Sequence, residues 1–353
     1  MSVSALLSII IPLYNGKKFI ANIVRSVNAV SVPKEIIIVD DGSKDGSEQY
    51  CEEIRREYPD VKVFRKENGG ISSARNYGLS VCTGKYAVFV DQDDYIDAGR
   101  ISNAIAYAEE NGTDAVFWSC DYDADGEKSP CDKVYRKCIA ERDAIEKSLL
   151  PALLFRDDSE YMSYIGHVWA GVYSTELIRN KDVKFRHFID YEDDQLFVYD
   201  FLLAAKKVGF LPETVYYWVF NPKSYSNTKR KLTNIVARYE SYFSYLANRY
   251  LEHVPGDEDT LKELDVFAKQ FTFCEAVRNS GLGEKDKGER KAVRRLEKSR
   301  EYKPQLRCKP AHIREKRFRI YLLLSRFGLT GISLWSTRVY YNRKQKKQRK
   351  SGT

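Results

Sequence analysis

The chain has 353 residues, of which 43% are hydrophobic and 31% charged, and its formal net charge is +8. This length and apolar content suffice for a large core, so disorder is excluded as the dominant state. Residues 303–353 hold 15 Lys and Arg and one acidic residue, which leaves 43 basic and 49 acidic residues before them. The C-terminal segment is therefore +14 and the body −6, which argues against a uniformly basic, nucleic-acid-binding body.

The cysteines and the N-terminus indicate the compartment. Seven cysteines occur without a Cys-x-x-Cys spacing, and four histidines form no zinc pattern. We therefore expect reduced thiols in a cytoplasmic protein. The apolar run from Leu6 to Ile11 has no basic segment before it and ends at Pro12, so we interpret it as a buried strand rather than a signal segment.

Short apolar runs alternate with amphipathic segments through the first hundred residues. The predicted strands are Leu7 to Pro12, Glu35 to Val39, Val61 to Arg65 and Tyr86 to Val90, and the predicted helices are Lys18 to Val30, about Ser47 to Tyr58 and about Ser72 to Val81. This alternation predicts a mostly parallel sheet with helices on both faces. Ligands of such sheets bind at the carboxyl ends of the strands.

Polar and acidic residues gather at those carboxyl ends. They are Pro12 to Asn15 after the first strand, Asp40 to Ser43 after the second, and Asp91 and Asp93 after the fourth. Clustered carboxylates are costly unless something positive or hydrogen-bonding is bound. Asp91 and Asp93 have the spacing and chemistry to face a hard cation such as Mg²⁺ or Mn²⁺. A dinucleotide site is not expected, because neither Gly-x-Gly-x-x-Gly nor a P-loop is present.

Four segments together resemble the signature motifs of inverting family 2 glycosyltransferases. They are IIIPLYNG (Ile9 to Gly16), IIIVDDGSKDGS (Ile36 to Ser47), ENGGISSARNYGL (Glu67 to Leu79) and YAVFVDQDDYI (Tyr86 to Ile96). Their order and spacing are those of the family, and the similarity covers roughly residues 5–230. The resemblance implies a GT-A catalytic domain over residues 1–230, with a nucleotide-sugar half at 1–100 and an acceptor half at 101–230.

In the family, the first loop and the acidic turn hold the nucleotide. The corresponding residues here are Pro12, Tyr14, Asn15, Asp40 and Asp41. We expect Asp41 to accept the imide N–H of a uracil or thymine. The alternative is that this turn merely caps the next helix.

The remaining donor residues also follow from the resemblance. Asn68 begins a segment similar to the family's Asn-x-Gly-x-x-x-Ala-Arg-Asn motif, with Gly69 in the variable place, and this sets Arg75 near the diphosphate. A salt bridge on a helix face is the alternative for Arg75. Asp91 and Asp93 match the Asp-x-Asp element, in which the first contacts the ribose or the metal and the second binds the metal that bridges both phosphates.

A general base is expected in the family's Glu-Asp-x-x-Phe element, which residues 191–197 match in two registers. The Asp-x-x-Phe spacing selects Asp194, which we favour, whereas the literal Glu-Asp pair selects Asp193. The base would deprotonate an acceptor hydroxyl, which attacks the anomeric carbon in a single inverting displacement. The alternative is an acidic first helical turn.

Two further segments resemble acceptor-side elements of the family. Trp169 belongs to a segment similar to the Trp-x-x-x-Tyr strand, and it either stacks on an acceptor sugar or lies in the core. Ser224 to Ser226 resembles the Ser-x-Ser loop that closes the catalytic halves of family members.

Strand signals stop near residue 232. We expect a helical subdomain at 231–300 and a basic amphipathic segment at 301–353. The apolar run from Ile320 to Tyr341 is interrupted by Arg and Gly, which disfavours a transmembrane helix. With basic residues on both sides, it resembles an interfacial segment in contact with an anionic membrane. The alternative is a core helix with a disordered basic end.

Together these features predict a metal-dependent inverting glycosyltransferase at the inner face of the cell membrane. It would move a sugar from a nucleotide-sugar donor, with UDP preferred by its frequency in the family, to a glycan or lipid-linked acceptor in cell-surface polysaccharide synthesis. A GT-A nucleotidyltransferase fits less well, because residues 12–17 are not a Gly-rich basic loop. A nucleic-acid-binding protein with a basic tail is disfavoured because the body is acidic. An inactive homologue is disfavoured because every acidic position expected from the family is filled.

Overall fold

The structure is a computed structural model that describes residues 5–124, 127–130, 135–155, 165–188, 193–221, 231–282, 287–310 and 312–350. The chain divides into two compact units, Met1–Asn221 and Pro222–Thr353. The motif residues Tyr191 and Glu192 and the Ser224 to Ser226 loop lie outside the described residues.

The first unit is built on one ten-stranded sheet. Its strands are β1 (Leu7–Leu13), β2 (Lys34–Asp40), β3 (Val61–Arg65), β4 (Tyr86–Phe89), β5 (Tyr95–Ile96), β6 (Ala115–Ala124), β7 (Glu127–Pro130), β8 (Cys138–Glu141), β9 (Gly171–Ser174) and β10 (Lys207–Val219). The order is β3-β2-β1-β4-β9-β6-β10-β5, with β7 beside β6 and β8 beside β10. Strands β1 to β4 pair in parallel, whereas β9 runs antiparallel to both neighbours. The sheet is therefore mixed, and the predicted parallel arrangement describes its first half.

Strand register aligns the loops that carry the predicted site. β1 is buried along its whole length, as expected for an aliphatic run covered on both faces. Leu13 at the end of β1 pairs with Asp40 at the end of β2, and Ile10 pairs with Phe89 on β4. Because these strands are parallel neighbours, their carboxyl-end loops emerge at the same edge of the sheet.

The helices of this unit are α1 (Lys17–Asn28), α2 (Ser47–Glu57), α3 (Ile71–Val81), α4 (Ala98–Asn111), α5 (Arg142–Ala144), α6 (Leu150–Phe155), α7 (Thr175–Asn180) and α8 (Asp193–Ala204). A π-helical turn, Ile145–Leu149, joins α5 to α6. The sequence predictions for α1 to α3 are confirmed, with ends that differ by at most two residues. The spacing of apolar residues depends only on neighbouring positions, so these helices can be recognised from the sequence without knowledge of the tertiary structure.

The predicted Trp-x-x-x-Tyr strand begins later than expected. Trp169 lies in a 3₁₀ turn, Val168–Ala170, and β9 starts at Gly171. A side chain at Gly171 would come within 2.9 Å of the Phe117 ring on β6. Glycine therefore permits the close backbone approach with which the strand begins.

The second unit is helical in its described part, where no strand occurs. Its helices are α9 (Ile235–His253), α10 (Glu258–Asn279), α11 (Lys287–Lys298), α12 (Lys303–Arg307), α13 (Lys316–Arg326) and α14 (Thr330–Lys350). Aromatic rings join α9, α10 and α13, with Phe271 lying 5.5 Å from Tyr239 and 5.8 Å from Phe318. Over the described ranges, none of the helices has the length and apolar character needed to cross a bilayer.

Candidate active site

The loops after β1, β2 and β4 are joined by hydrogen bonds. The backbone N–H of Tyr14 donates to Gln92 Oε1 at 2.9 Å, and Gln92 Nε2 donates to the Tyr14 carbonyl at 3.2 Å. The backbone N–H of Asn15 donates to Ser43 Oγ at 2.9 Å, while Asn15 Oδ1 accepts from the Lys44 N–H at 2.8 Å. Pro12 lies buried in β1, two residues before Tyr14. The three predicted ligand loops therefore form one continuous surface.

Asp41 fastens the loop before α3 onto the acidic turn. Its carboxylate accepts from the backbone N–H of Gly69 at 3.0 Å, from that of Gly70 at 2.7 Å and from Lys66 Nζ at 2.6 Å. Asn68 Nδ2 donates to the Asp41 carbonyl at 2.9 Å. Gly70 has φ +85°, which favours glycine at this position. Both carboxylate oxygens of Asp41 therefore already have partners in the chain.

Asp40 has a different environment from its neighbour. Its Oδ1 accepts from the Ser43 N–H at 2.9 Å. Its Oδ2 is buried and, within the described part of the chain, has no hydrogen-bond donor, although Arg65 Nε lies 3.7 Å away. Buried carboxylate oxygens normally have hydrogen-bond partners. Among the described residues, Asp40 is thus enclosed by protein with one carboxylate oxygen unpartnered.

Asp94 is held by β10 behind the Asp-x-Asp turn. It accepts from the Tyr216 hydroxyl at 2.6 Å and from the Val219 N–H at 2.8 Å, and the Asp91 N–H donates to the same hydroxyl at 3.2 Å. Burial, with the nearby charges of Asp91 and Asp93, raises the pKa of Asp94 well above its usual value. Negative charge is therefore already crowded at this turn.

The donor chemistry of the Asp-x-Asp turn fits a hard divalent cation. Asp93 is half-buried and accepts from Asn221 Nδ2 at 2.8 Å through one oxygen. Burial raises the pKa of Asp91, although Arg75 opposes that shift. A cation would relieve this crowding, and carboxylate oxygens are the ligands that Mg²⁺ and Mn²⁺ prefer. No cluster of three or more His, Cys, Asp or Glu side chains in the described ranges has metal-binding geometry. A hard cation with few protein ligands usually completes its coordination with water and phosphate oxygens.

Arg75 joins the Asp-x-Asp turn to the predicted base. It is only 2% exposed, and its two terminal nitrogens donate to Asp91 Oδ1 at 2.7 Å and to Asp194 Oδ1. The Phe185 ring lies 5.2 Å from its guanidinium carbon. Burial alone would lower the pKa of Arg75, but Asp194 and Asp91 raise it. The salt bridges of Arg75 are thus buried between two predicted site residues and not on a solvated helix face.

The two candidate bases differ in accessibility. Asp193 has a side chain 3% exposed, and its Oδ2 accepts from Ser72 Oγ and lies 3.0 Å from His187 Nδ1. Burial raises the pKa of Asp193, while Ser72 and His187 oppose the shift. Asp194 is 19% exposed and accepts from the Val168 N–H at 3.4 Å. Asp194 is thus the more accessible carboxylate, and Asp193 is enclosed by protein groups.

Trp169 lies in the core of this unit. It is 8% exposed, and its ring stacks between His167 at 4.9 Å and Tyr216 at 4.6 Å. Sequence reasoning missed the contribution of Tyr216 and Asn221 to the site. Neither residue carries a local sign of this role, because their carboxylate partners in the turn after β4 lie more than a hundred positions away.

Comparison with known proteins gives concordant results. Residues 8–146 match the family model described as Glycosyl transferase family 2. The chain is 30% identical over 223 residues to the uncharacterized glycosyltransferase EpsJ of Bacillus subtilis, covering 62% of each protein. It is 27% identical over 239 residues to the poly(ribitol-phosphate) beta-N-acetylglucosaminyltransferase TarS of Staphylococcus aureus, covering 66% of this chain and 37% of TarS. The matched region spans less than two thirds of the length of both relatives.

The fold is similar to that of a solved structure over nearly the whole chain. The crystal structure of S. aureus TarS 1–349 in complex with UDP-GlcNAc matches with a TM-score of 0.64 and 19% identity. The match covers 96% of this chain and 92% of that one. At this level of identity, the likeness shows a common fold.

Proposed function

We propose a sugar-transfer reaction on the premise that this chain belongs to the family 2 glycosyltransferases of bacterial polysaccharide type and has their GT-A fold. The proposed reaction moves a sugar from a UDP-sugar to a hydroxyl of a glycan or lipid-linked acceptor in cell-surface polysaccharide synthesis. TarS, solved with UDP and with UDP-GlcNAc, supports the donor class. We place the enzyme at the inner face of the cell membrane, where a lipid-linked acceptor would be present.

The observation that carries the proposal is the buried ion pairing of Arg75. One guanidinium contacts both Asp91, which follows β4, and Asp194, in the first turn of α8. Removing either carboxylate would leave the buried guanidinium with a single charged partner, which is costly. The pairing therefore holds a carboxylate of the donor loop and the candidate base in one fixed arrangement, as a single displacement between donor and acceptor requires.

The donor side is assigned to the joined loops. The exposed Tyr14 ring and the Asn15 junction border the nucleotide, and Asp40 and Asp41 lie beneath them. We keep the expected imide contact with Asp41, whose carboxylate is held in place by the Gly69 and Gly70 N–H groups. The Asp40 oxygen that has no partner among the described residues is buried beneath this turn, and we assign it no ligand contact.

The metal is assigned to Asp93 and Asp91. A bound Mg²⁺ or Mn²⁺ supplies Lewis-acid stabilisation of the negative charge on the departing nucleoside diphosphate. Asn221 orients Asp93 through its side-chain hydrogen bond, and Arg75 orients Asp91. These contacts keep the carboxylates in position before the donor arrives.

Asp194 is assigned as the general base. It takes the proton of the acceptor hydroxyl as that oxygen forms its bond to the anomeric carbon, and the bond from this carbon to the diphosphate oxygen breaks. The attack comes from the face opposite the diphosphate and inverts the configuration. Asp193, with Ser72 and His187, positions the start of α8.

The donor assignment is tested first. UDP-, dTDP- and GDP-sugars are incubated with the protein and Mn²⁺ or Mg²⁺, and binding is followed by thermal shift and turnover by released nucleotide. We expect stabilisation and metal-dependent release with a UDP-sugar. Stabilisation by another nucleotide class alone would overturn the UDP assignment.

The base is tested by two neighbouring substitutions of equal chemistry. Asp194→Asn is expected to lower kcat by about 10²–10⁴, the usual contribution of a general base, with unchanged UDP affinity. Asp193→Asn is expected to have the smaller effect on kcat, because this side chain is enclosed by protein groups. Both variants should lower the melting temperature, since Asp194 also pairs with the buried Arg75. Equal, modest losses of kcat in both variants would contradict the assignment.

A further inference from the structure

Exposed apolar side chains are concentrated in one part of the second unit. Of the twelve large apolar side chains exposed in the described part of the chain, seven lie between residues 320 and 340. Six of them form the set that we call the hairpin patch: Ile320, Leu323, Phe327, Leu329, Ile332 and Trp335. Phe327 is 71% and Trp335 64% exposed. Such a concentration marks an interaction surface more often than chance exposure does.

The patch is the outer face of two helices whose inner faces are already buried. On α13, Phe318, Tyr321 and Leu322 are buried, while Ile320 and Leu323 point away from them. On α14, Leu334 and Tyr341 are buried, and the Tyr321 hydroxyl accepts from Thr337 Oγ1 at 2.7 Å. Residues 320, 323 and 327 share one helical face by their spacing, as do 332 and 335. Each helix therefore has a second apolar face that the described part of the second unit leaves exposed.

The backbone N–H groups of the turn between the two helices are hydrogen-bonded within the turn itself. Gly328 has φ +71° and reverses the chain between Phe327 and Leu329. The Gly328 N–H donates to the Ser325 carbonyl at 3.0 Å, and the Leu329 N–H donates to the Leu324 carbonyl at 2.9 Å. Backbone groups that reach the hydrocarbon region of a bilayer must have their hydrogen bonds satisfied within the protein. These two amides at the tip of the hairpin meet that condition.

The surrounding charge identifies the kind of surface that the patch fits. Residues 312–350 hold twelve Lys and Arg against one acidic residue, Glu315. Among them, Lys316, Arg319 and Arg343 are exposed, and the Arg317 guanidinium lies 3.6 Å from the centre of the Tyr340 ring. Apolar and tryptophan side chains flanked by basic residues are typical of segments in the interface of anionic bilayers. A second copy of this chain would bring two strongly positive surfaces together.

We propose that the α13–α14 hairpin inserts its outer face into the interfacial region of an anionic membrane. Phe327 and Leu329 enter at the tip, Trp335 lies at the level of the headgroups, and the surrounding Lys and Arg contact anionic headgroups. Attachment of this kind is peripheral and needs no spanning helix. It does not rest on the proposed transfer reaction, since neither the donor loops nor the base takes part.

The test uses the full chain and vesicles of stated composition. Flotation is measured with vesicles of equal phosphatidylglycerol and phosphatidylcholine, and with phosphatidylcholine alone. We expect binding to the anionic vesicles and a loss of at least tenfold in affinity for the double variant Phe327→Ser, Trp335→Ser. Leu251→Ser is the matched control, because Leu251 is an exposed apolar residue on α9, outside the hairpin patch. The control is expected to bind as the unmodified chain does.

Fluorescence separates insertion from attraction by charge alone. Trp118 and Trp169 are buried and Trp218 is half-buried, so Trp335 is the most exposed of the four tryptophans. A blue shift on adding anionic vesicles is expected, and Trp335→Phe should abolish it. Three results would overturn the proposal: no binding to anionic vesicles, equal binding by the double variant, or an equal loss in Leu251→Ser. Self-association that the double variant abolishes, without vesicle binding, would show that a second copy covers the patch.

Discussion

The two units of the chain hold their charges in opposite ways. In the first unit, Asp91 and Asp194 share the buried Arg75, and Asp94 is held by two donors of β10. In the second unit, Lys316, Arg319 and Arg343 are exposed beside apolar side chains that are also exposed. A buried charge is costly unless it is paired, whereas an exposed cation keeps most of its hydration.

This difference shows why the net charge of the chain is a poor guide to its chemistry. The average of +8 combines a −6 body with a +14 C-terminal segment. In the first unit, the charges of the candidate site are paired and partly buried. In the second, the basic side chains near the hairpin patch are exposed and can contact a charged surface. Substitutions at the candidate site should therefore leave vesicle binding unchanged, and substitutions in the hairpin patch should leave turnover unchanged. Each prediction below tests whether the two properties are independent.

The largest effect is expected from the metal position. Asp93→Asn should lower metal-dependent UDP release by about 10²–10³, because a neutral amide is a poor ligand for a hard cation. The matched control is Asp97→Asn, because Asp97 caps α4 by accepting from the Arg100 N–H, and Asn caps almost as well. Titration of Mn²⁺ against nucleotide release measures both variants. An unchanged metal requirement in Asp93→Asn would remove the metal assignment.

A smaller effect is expected from Arg75→Lys, which keeps the charge but cannot contact two carboxylates with a planar fork. We expect kcat to fall by about 10- to 100-fold, on the order of 1–3 kcal/mol for a lost charge-assisted hydrogen bond. Because Arg75 opposes the raised pKa of Asp91, weaker pairing should raise that pKa further.

The pH dependence gives a readout that simple destabilisation would not. A higher pKa for Asp91 means that the ionised form is lost earlier on acidification, so the acidic limb of kcat/KM should move to higher pH in Arg75→Lys. If kcat falls but the acidic limb of the pH profile of kcat/KM does not move, Arg75 has only a structural role. Vesicle binding should be the same as in the unmodified chain.

The smallest effect on turnover and on vesicle binding is expected from Glu35→Gln. Glu35 is buried near the start of β2, with Ser8 Oγ at 2.5 Å and Lys62 Nζ at 2.6 Å. Burial raises its pKa, but Lys62, Ser8 and Thr83 outweigh that effect and lower the pKa from 4.5 to about 2. The variant should lose about 1–3 kcal/mol of unfolding free energy at pH 7, with turnover and vesicle binding preserved.

The sign of the pH dependence follows from that lowered pKa. The contribution of Glu35 is fully present above about pH 4.5 and is lost as pH falls towards 2, because the unfolded chain takes up the proton first. Denaturant unfolding at pH 7 and pH 3 should therefore show a smaller difference between the two proteins at pH 3. A constant difference would show that the ionised carboxylate is not what stabilises this site.

Much of the first unit could be predicted from local patterns. The aliphatic runs of β1 and β2 and the helical spacing of α1 to α3 depend only on neighbouring residues. The same holds for the acidic turns, since the strands that precede them are recognisable and parallel strands end at one edge. By contrast, Asp193 and Asp194 are adjacent and chemically identical, so no local pattern could tell which one is enclosed.

The amino-acid sequence alone determined the sheet of the first half, the positions of the acidic loops and the uneven charge, because composition and periodicity act over short distances. Tertiary structure decided which carboxylate meets Arg75, that Asp41 is occupied by the loop before α3, and that Trp169 lies in the core. It also decided which faces of α13 and α14 are buried, since those faces pack within the second unit. Such contacts join residues far apart in the chain, and only the folded arrangement can select among them.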